Sequence, residues 1–491
     1  MGYMAICSYN RNYLDFETGK GELFECTNDV WKRDKCKFHS KYYLKNSTKE
    51  EFELEFEKML HSAMETGSLK CIGYHFPTIK LPKSDECDLD FVIYFTDAKF
   101  HGKNDFSNIN FNKQISFTDA TFYKSVIFRG TIFAEESTFV NTFFHGNINS
   151  FQFTKFEKKS NFSKGEIKNA TFNHAQFHNP IFNYRVFHNH TSFTNSKFEK
   201  KSLFKIVTFY EVDFSESVFK DIVDFDNTKF YTYGIFSNIT CSDQIKFNGN
   251  ISNISFLDMD LQKIKFGNEV TWKQIKNLDA FWDKAKSYLN WMRNSDFKIY
   301  DERKLEKQLK RELWKLDNKE TNLSLESIKN LYRDLRENFD YNLRYETSGE
   351  FHVREMELMR KYREKHKAGR IITTKKHIVW KHLSIFWLYN ILAQYGQSYH
   401  RPIYFAIFVI SIATYCFLSQ EIESAKNADI EYSFLELLLK SITRSVAGFI
   451  PFDILDKTVS NVDKILRVVL LPISVTFFIS LKRRLERKFR H

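Results

Sequence analysis

The sequence is poor in the two residues that most often interrupt regular structure. Its 491 residues include only 16 glycines and 6 prolines, so long disordered or low-complexity segments are not expected. It has seven cysteines, an odd number, and its first residues carry neither a basic flank nor a long apolar run. A disulfide-stabilised secreted protein is therefore not indicated, and we expect a reducing environment and a cytosolic N-terminus.

Signatures of common catalytic sites are missing too. The sequence contains no phosphate-binding loop, no glycine-rich dinucleotide turn, no HExxH motif and no nucleophile elbow, so we do not expect an enzyme. What is abundant is phenylalanine, with 52 residues, and positive charge, with a formal net charge of +12. A basic chain favours nucleic acid or a membrane surface as a partner, and the position of the charges decides between them.

Phenylalanine recurs with a short, regular period in the middle of the chain. Residues 95–266 hold 31 of the 52 phenylalanines, and from Phe172 to Phe198 their successive separations are five, five, five, six and five residues. Neither a helix, with a period of 3.6, nor a flat strand, with a period of 2, would bury that pattern. Two residues before many of these phenylalanines stands a small or β-branched residue: Ala98, Ala120, Thr131, Ala170, Ala175, Thr191, Ser196, Ser217, Thr228.

A five-residue period with one large and one small inward position predicts a solenoid with short, straight faces. Four such units would complete one square coil, and coils stacked at about 4.8 Å would give roughly eight coils over this region. The pattern resembles the pentapeptide-repeat domain, a right-handed quadrilateral β-helix. Some members of that family mimic DNA, but residues 95–266 carry 20 basic and 17 acidic residues, so neither mimicry nor nucleic-acid binding is expected. His178 and His188 fall at turn positions, where solvated side chains are expected rather than a metal site.

Three cysteines and a histidine precede the repeat. Cys7, Cys26, Cys36 and His39 follow the spacing C-x18-C-x9-C-x2-H, and three thiolates with one imidazole form a common structural zinc set. We predict a zinc-stabilised head over residues 1–88, with Cys71 or Cys87 as alternative ligands. Four protein ligands would leave no open position for catalysis. The alternative is three reduced, partly buried thiols and a surface histidine.

Residues 269–370 have a helical pattern. The stretch Ile328–Lys361 predicts two antiparallel helices joined near 345–349. Glu355 and Glu357 lie two residues apart and cannot face each other on a helix, so we interpret them as part of a solvated face rather than as an acid/base pair.

The same stretch is similar to the segment that follows the repeats in prokaryotic pentapeptide-repeat membrane proteins, which end in a two-helix module of the ion-channel type. The matching residues are Tyr332, Leu335, Gly349, Phe351, Glu355, Met356, Glu357 and Arg360.

The C-terminal part contains two apolar runs, as that resemblance implies. Pro402–Leu418 is free of charge, and Val468–Leu481 is a second run, each near the lower length limit for a membrane span. The closing sequence KRRLERKFRH is strongly basic, whereas residues 420–463 between the runs hold more acidic than basic residues. Two spans indicate a multi-pass protein, which we expect in the plasma membrane, and the positive-inside rule predicts that both termini are in the cytoplasm. Residues 371–400 predict an amphipathic helix along the inner leaflet, and a packed linker is the alternative.

The segment between the two runs predicts a pore loop. Residues 433–454 read as a short apolar helix followed by Gly448, Pro451 and an acidic residue, a pattern typical of a re-entrant segment. In the resembling channels this place holds a potassium filter, but here the second filter glycine is lost, so potassium selectivity is not implied. Arg444 faces the pore or pairs with Glu436. The candidate pore residues are Ala447, Gly448, Phe449, Ile450, Pro451, Phe452 and Asp453.

The predicted fold class is thus multidomain: a head (1–88), a right-handed quadrilateral β-helix (89–268), a helical coupling region (269–370), an interfacial helix (371–400) and a two-span membrane domain (401–491). We expect an ion channel, with cations as the expected permeant ions, gated by an unidentified cytosolic ligand or protein. Two spans cannot enclose a pore alone, and the resemblance implies a homotetramer. The alternative is a membrane-anchored repeat scaffold without a pore, in which residues 433–454 need not re-enter the membrane.

Overall fold

The structure, a computed structural model, describes residues 6–31, 34–41, 44, 48–272, 298–312, 324–368, 385–427, 433–447 and 461–488. The described residues fall into two compact units, one made of those before residue 277 together with 298–312, the other of those from 324 onward. The α-helices are α1 Lys49–Thr66, α2 Tyr300–Glu312, α3 Leu325–Tyr341, α4 Tyr345–Ala368, α5 Ile385–Ala393, α6 His400–Asn427, α7 Phe434–Ala447 and α8 Asn461–Lys488. Short 3-10 turns cover Leu261–Lys263 and Gln394–Gly396.

The first unit is built on a β-solenoid of about nine coils whose two large sheets are parallel. A separate antiparallel hairpin, Asn10–Leu14 with Gly21–Glu25, belongs to the head. One solenoid sheet contains Ser68–Lys70, Val92–Tyr94, Asn110–Phe111, Ile115–Ser116, Ile132–Phe133, Ser137–Thr138, Lys155–Asn161, Gln176–Ile181, Lys197–Phe198, Ser202–Leu203, Val218–Phe219, Val223–Asp226, Thr240–Cys241, Ile245–Asn248 and Ile264–Phe266. The other contains His75–Phe76, Lys99–Phe100, Asn104–Asp105, Thr121–Phe122, Val126–Ile127, Phe143–Phe144, Asn149–Ser150, Glu166–Thr171, Val186–Ser192, Thr208–Asp213, Lys229–Ile235 and Ile254–Ser255.

The five-residue period of phenylalanine is explained by columns of stacked rings inside the solenoid. Phe172 stacks on Phe193 of the next coil with ring centroids 4.7 Å apart, and Phe182 stacks on Phe204 at 4.8 Å. These separations match the distance between hydrogen-bonded strands, so each coil buries its rings against the coils above and below. The predicted quadrilateral β-helix is confirmed. The strand pairing begins at Ser68, and the solenoid therefore has about one coil more than phenylalanine spacing alone predicts.

The small inward residues occupy tight corners between faces. At one such corner the N–H of Ser196 donates to the carbonyl of Phe193 at 3.0 Å, and Asn195 has a φ of 58°. This geometry is that of a type II turn, which needs a left-handed residue at its third position. The Ser196 hydroxyl also donates to the carbonyl of Phe172, one coil earlier, at 2.6 Å. A larger side chain at this position would have to fit inside the coil.

Arg185 is the exception to this rule. It stands at the small-residue position of its corner yet is fully buried. Its Nη1 donates to the carbonyl of Thr142 at 2.9 Å and also to that of Lys164, and its guanidinium lies 5.5 Å from the ring centroid of Phe144. Space for it comes from Gly165, where an added Cβ would lie 2.8 Å from Arg185 Nη1. Burial lowers the pKa of Arg185 to about 9.

Both ends of the solenoid are covered. At the first coil, Phe52 and Phe56 of α1 pack on Phe76, with ring centroids 6.1 and 5.8 Å apart. At the last coils, the carboxylate of Asp301 at the start of α2 accepts from the Ser255 hydroxyl at 2.5 Å and from the backbone N–H of Phe256 at 3.1 Å. Such caps are needed because a terminal coil would otherwise expose unpaired strand edges and apolar rings.

The second unit consists of helices. The α3–α4 pair is an antiparallel hairpin whose core includes Tyr332 and Phe351, with ring centroids 6.1 Å apart. The predicted hairpin is confirmed, but the connection lies at residues 342–344, ahead of the position predicted from sequence, with Leu343 in a left-handed conformation (φ 59°). Helices α6 and α8 pack together through a cluster that includes Phe417 and Leu470. Of the predicted interfacial helix, the structure describes α5 and the turn after it, while 371–384 lie outside the described residues.

Candidate metal centre and membrane module

The four residues predicted as metal ligands come together in the head. Their ligand atoms all lie within 4.8 Å of one another and all four side chains are buried. His39 Nδ1 lies 3.4 Å from Cys7 Sγ and 3.2 Å from Cys36 Sγ, and Cys26 Sγ lies 3.8 Å from Cys36 Sγ. A Cys3His group of these dimensions can hold a metal ion.

The local fold explains this convergence. Cys7 lies just before the first strand of the head hairpin and Cys26 just after the second, so antiparallel pairing brings the two together. Cys36 and His39 come from one short loop, and the imidazole stacks on the ring of Tyr9 at 4.0 Å. Gly73 is needed below that ring, because a Cβ there would lie 2.1 Å from Tyr9 Cζ.

A second contact orients the histidine. His39 Nε2 lies 2.8 Å from the carbonyl oxygen of Ile72, which can only accept, so the ring proton resides on Nε2 and the Nδ1 lone pair points at the thiols. Burial lowers the pKa of His39 to about 4, and burial raises the pKa of Cys26 to about 12. The imidazole is therefore neutral at physiological pH, as a metal ligand must be, whereas the Cys26 thiol needs a cation to favour its ionised form.

The other cysteines and histidines named from sequence do not join this group. Cys71 is buried and Cys87 half-buried, and neither belongs to the cluster. His188 lies beside Glu166, with Nε2 3.0 Å from the carboxylate. Within the residues that the structure describes, the Cys3His group is the one cluster of potential metal ligands.

Two helices of the second unit are long and apolar enough to cross a membrane. They are His400–Lys426 and Ile465–Glu486, each with a mean hydropathy of 1.9 in its most apolar window. Only 22% and 33% of these windows are buried within the chain, unlike the core helix of a soluble protein. Large apolar side chains stand exposed along both helices, among them Phe408 and Phe478, each at 62%. Surfaces of this kind need lipid or another protein around them.

Helix α7 packs along α6 within its apolar run. The Thr414 hydroxyl donates to the Ser445 hydroxyl at 3.1 Å, and Ser441 and Ser445 are both fully buried. Nearer the end of α6, Glu421 pairs with Lys440 at 3.0 Å and with Arg444 at 3.5 Å. The expected pairing of Arg444 with Glu436 is therefore wrong. Glu436 and Arg444 are eight residues, or about 12 Å, apart on the same helix, and the carboxylate facing Arg444 belongs to α6.

The candidate pore residues lie almost entirely beyond what the structure describes. Ala447 is the last residue of α7, and 448–453, from Gly448 to Asp453, lie outside the described residues. Their role stays a prediction.

The interpretation of Glu355 and Glu357 as a solvated face is wrong. Their exposures are 2% and 6%. Glu355 accepts from Arg333 at 3.1 Å and from Arg336 at 2.7 Å, both on α3. Glu357 lies on the other side of α4 and pairs with Arg360. The sequence signal was available but overlooked, since arginines in both helices of a predicted hairpin can neutralise carboxylates between them.

Sequence reasoning also missed Tyr395 and Arg483. Tyr395 is fully buried in the turn before α6, and its hydroxyl donates to Glu357 at 2.9 Å. Arg483, near the end of α8, donates to the carbonyl of Tyr395 at 2.7 Å. Tyr395 stands beside a glycine, and Arg483 is one of several arginines in a basic tail. Neither residue belongs to a repeating pattern, so the sequence alone does not single them out.

A β-solenoid combined with two helices able to span a membrane fits a membrane-associated repeat protein. Comparison of the sequence with protein-family models and with curated proteins finds no match in either.

Proposed function

We propose that the protein is a subunit of an oligomeric ion channel whose cytosolic part is the zinc-containing head and solenoid. The observation that carries the proposal is the contact between Thr414 and Ser445, which aligns the end of α7 with the uncharged run of α6. If α6 spans the membrane, the end of α7 lies beside the uncharged run of α6, at the depth of the hydrocarbon core. An anchor has no need of such a segment, whereas a pore does.

The buried serines of α7 support the same interpretation. Ser441 and Ser445 face α6, while Leu435 and Leu439 are 64% and 54% exposed. Small polar residues allow close packing of helices in lipid. The exposed leucines then face lipid or neighbouring subunits. Closure of a pore by two-span subunits requires a ring, and the homotetramer expected from sequence is the arrangement we propose.

The channel proposal is tested by recording from the purified full-length protein in a planar bilayer under potassium, sodium and chloride gradients. We expect discrete openings whose reversal potential follows the cation gradients. Substitutions Gly448→Ala and Asp453→Asn should change conductance or selectivity, and Asp243→Asn, in the solenoid, is the matched control. A monomeric protein that remains silent, in wild-type and substituted forms alike, contradicts the proposal and leaves the membrane-anchored scaffold.

We further propose that the Cys3His group binds structural zinc. The chemistry of the donors supports it, because three thiols and one neutral imidazole suit a tetrahedral zinc ion and leave no position open for substrate. The expected content is about one zinc per chain, measured by elemental analysis of the purified protein. Cys36→Ser should abolish it and Cys87→Ser should leave it unchanged. Equal zinc in both variants contradicts the assignment.

A further inference from the structure

A buried tyrosine links three helices of the second unit where α6 begins and α8 ends. The hydroxyl of Tyr395 donates to Glu357 on α4 at 2.9 Å. Its backbone carbonyl accepts from Nη1 of Arg483 on α8 at 2.7 Å. Five residues later α6 begins at His400. One residue is therefore bonded to the helical hairpin through its side chain and to the second candidate span through its backbone.

The acceptor of this tyrosine is itself held firmly. Glu357 is 6% exposed and forms two hydrogen bonds with Arg360, at 3.1 and 2.5 Å. Burial and the charge of Glu357 raise the pKa of Tyr395, so its hydroxyl stays protonated and remains a donor throughout the physiological range. A neutral donor to a buried carboxylate is among the stronger hydrogen bonds in proteins, and its loss leaves charge poorly solvated.

The turn that presents Tyr395 has an unusual backbone. Gln394, Tyr395 and Gly396 have φ values of 48°, 55° and 82°, three left-handed residues in succession. Non-glycine residues adopt this conformation at a cost and keep it only where their surroundings enforce it. Gly396 is enclosed as well, since an added Cβ would lie 2.6 Å from Tyr389 Oη and 2.9 Å from Arg483 Nη1. The contacts of Tyr395 hold the turn together with the backbone hydrogen bond from the Ser398 N–H to the Ala393 carbonyl, at 3.1 Å.

The contacts continue through α4 to α3. Nη1 of Arg483 also lies 3.2 Å from His352 Nε2, and His352 Nδ1 lies 3.3 Å from Arg336. Arg336 in turn pairs with Glu355 at 2.7 Å. A rotation of the α3–α4 hairpin must therefore carry the start of α6 and the end of α8 with it, or break the hydrogen bonds that Tyr395 forms with Glu357 and Arg483.

We propose that Tyr395 is a positioning residue that latches the α3–α4 hairpin to the ends of both membrane helices, so that movement of the hairpin sets the open probability of the channel. The regulatory consequence rests on the channel function proposed above. The latch itself rests only on the contacts of Tyr395, Glu357 and Arg483. The sequence predicted a coupling region over residues 269–370. The structure assigns the coupling to the hydrogen bonds that Tyr395 forms with Glu357 and Arg483.

The experiment compares wild type with Tyr395→Phe, as full-length protein in lipid vesicles and bilayers. The substitution removes one hydroxyl and keeps the ring. We expect amide hydrogen exchange in 394–400 and 352–360 to accelerate about tenfold or more, given the strength of hydrogen bonds to charged groups. We expect the ratio of open to closed times to change about as much, with single-channel conductance unchanged. A merely structural role would alter exchange or melting temperature but not that ratio.

Tyr399→Phe is the matched control, because its ring contacts Arg484 and His400 through its faces and edges, which the substitution retains. Arg483→Lys is the second variant, used if Tyr395→Phe fails to fold; it keeps the charge but cannot bridge Tyr395 and His352 as a guanidinium does. Exchange and gating both within twofold of wild type overturn the latch. Faster exchange with an unchanged ratio of open to closed times overturns the gating role. Faster exchange in a protein whose wild type never conducts upholds only the contacts of Tyr395 and removes the channel function.

Discussion

The solenoid and the helices α6 and α8 use aromatic side chains in opposite ways. In the solenoid, Phe172, Phe182 and Phe193 are fully buried, each between rings of adjacent coils. On α6 and α8, Phe408, Tyr415 and Phe478 are 62%, 74% and 62% exposed. The solenoid provides its own apolar environment, one coil for the next. The helices present apolar surface that the described chain does not cover.

This difference separates two kinds of folding. Most contacts of a solenoid coil are with its neighbours, Arg185 reaching two coils back being an exception, so the stability of a coil depends on local stacking and on the caps at the ends. Helices α6 and α8 cover only part of each other's apolar surface, and the rest needs lipid or another protein around it. Substitutions in the core of the solenoid should therefore reduce its stability, whereas removal of lipid or detergent should make the helices aggregate.

The largest expected effect follows from removing the lipid-like surroundings altogether. When detergent is withdrawn from the purified protein, we expect aggregation through α6 and α8 while the β-sheet signal in circular dichroism persists. Exposed apolar surfaces of this extent drive association in water. Analytical ultracentrifugation combined with circular dichroism makes the measurement. A monodisperse monomer in plain buffer would show that other parts of the chain cover these helices.

A cavity inside the solenoid should be the next largest effect. Phe182→Ala removes a fully buried ring and should destabilise the β-sheet region by about 3–5 kcal/mol. The matched control is Phe153→Ala, at a corner where the ring is 47% exposed. Urea unfolding followed by circular dichroism compares the two. Similar midpoints for both variants would mean that ring stacking is not the main source of stability.

A methyl group at Gly165 should have a smaller effect. The added Cβ would lie 2.4 Å from the Thr142 carbonyl oxygen and 2.8 Å from Arg185 Nη1, at a φ of +71°. Overpacking of this kind costs about 1–3 kcal/mol. Gly21→Ala is the control, because nothing lies within 4 Å of its added Cβ. Urea midpoints that coincide for the two variants would indicate that the coil at Arg185 is loosely packed.

The smallest effect is expected at the ion pairs between α6 and α7. Glu421→Gln removes the partner of Lys440 and Arg444, and partly exposed pairs contribute about 0.5–1 kcal/mol. Amide exchange in α7 should accelerate by a few fold, about what that free energy allows. Glu423→Gln, at an exposed position two residues on, should leave it unchanged. Equal rates in both variants would show that the serine face alone holds α7.

Sequence predicted the parts of this protein that depend on periodicity. The spacing of phenylalanine predicted the solenoid, and the spacing of Cys36 and His39 together with two distant cysteines predicted the buried Cys3His cluster. Uncharged runs predicted the two candidate spans. Each of these signals repeats or clusters along the chain, and so can be recognised without coordinates.

What sequence did not predict depends on contacts between distant residues. Arg185 breaks the small-residue rule, and only the coordinates show that Gly165 of the previous coil makes room for it. The burial of Glu357 could not be predicted from spacing, because its partner Tyr395 lies 38 residues away in another helix-turn segment. Such pairs have no fixed spacing along the chain. The charge of an arginine or a glutamate, taken alone, predicts an exposed position.

The most direct measurement concerns the depth of α7 in the membrane. A fluorescent amino acid replaces either Phe434 or Val446, both exposed and about 18 Å apart along the helix, in full-length protein in vesicles. Quenchers fixed at known depths in the lipid then report each position. The channel account predicts that Val446 lies well inside the hydrocarbon and Phe434 near the outer surface. Both positions at the aqueous surface would contradict it.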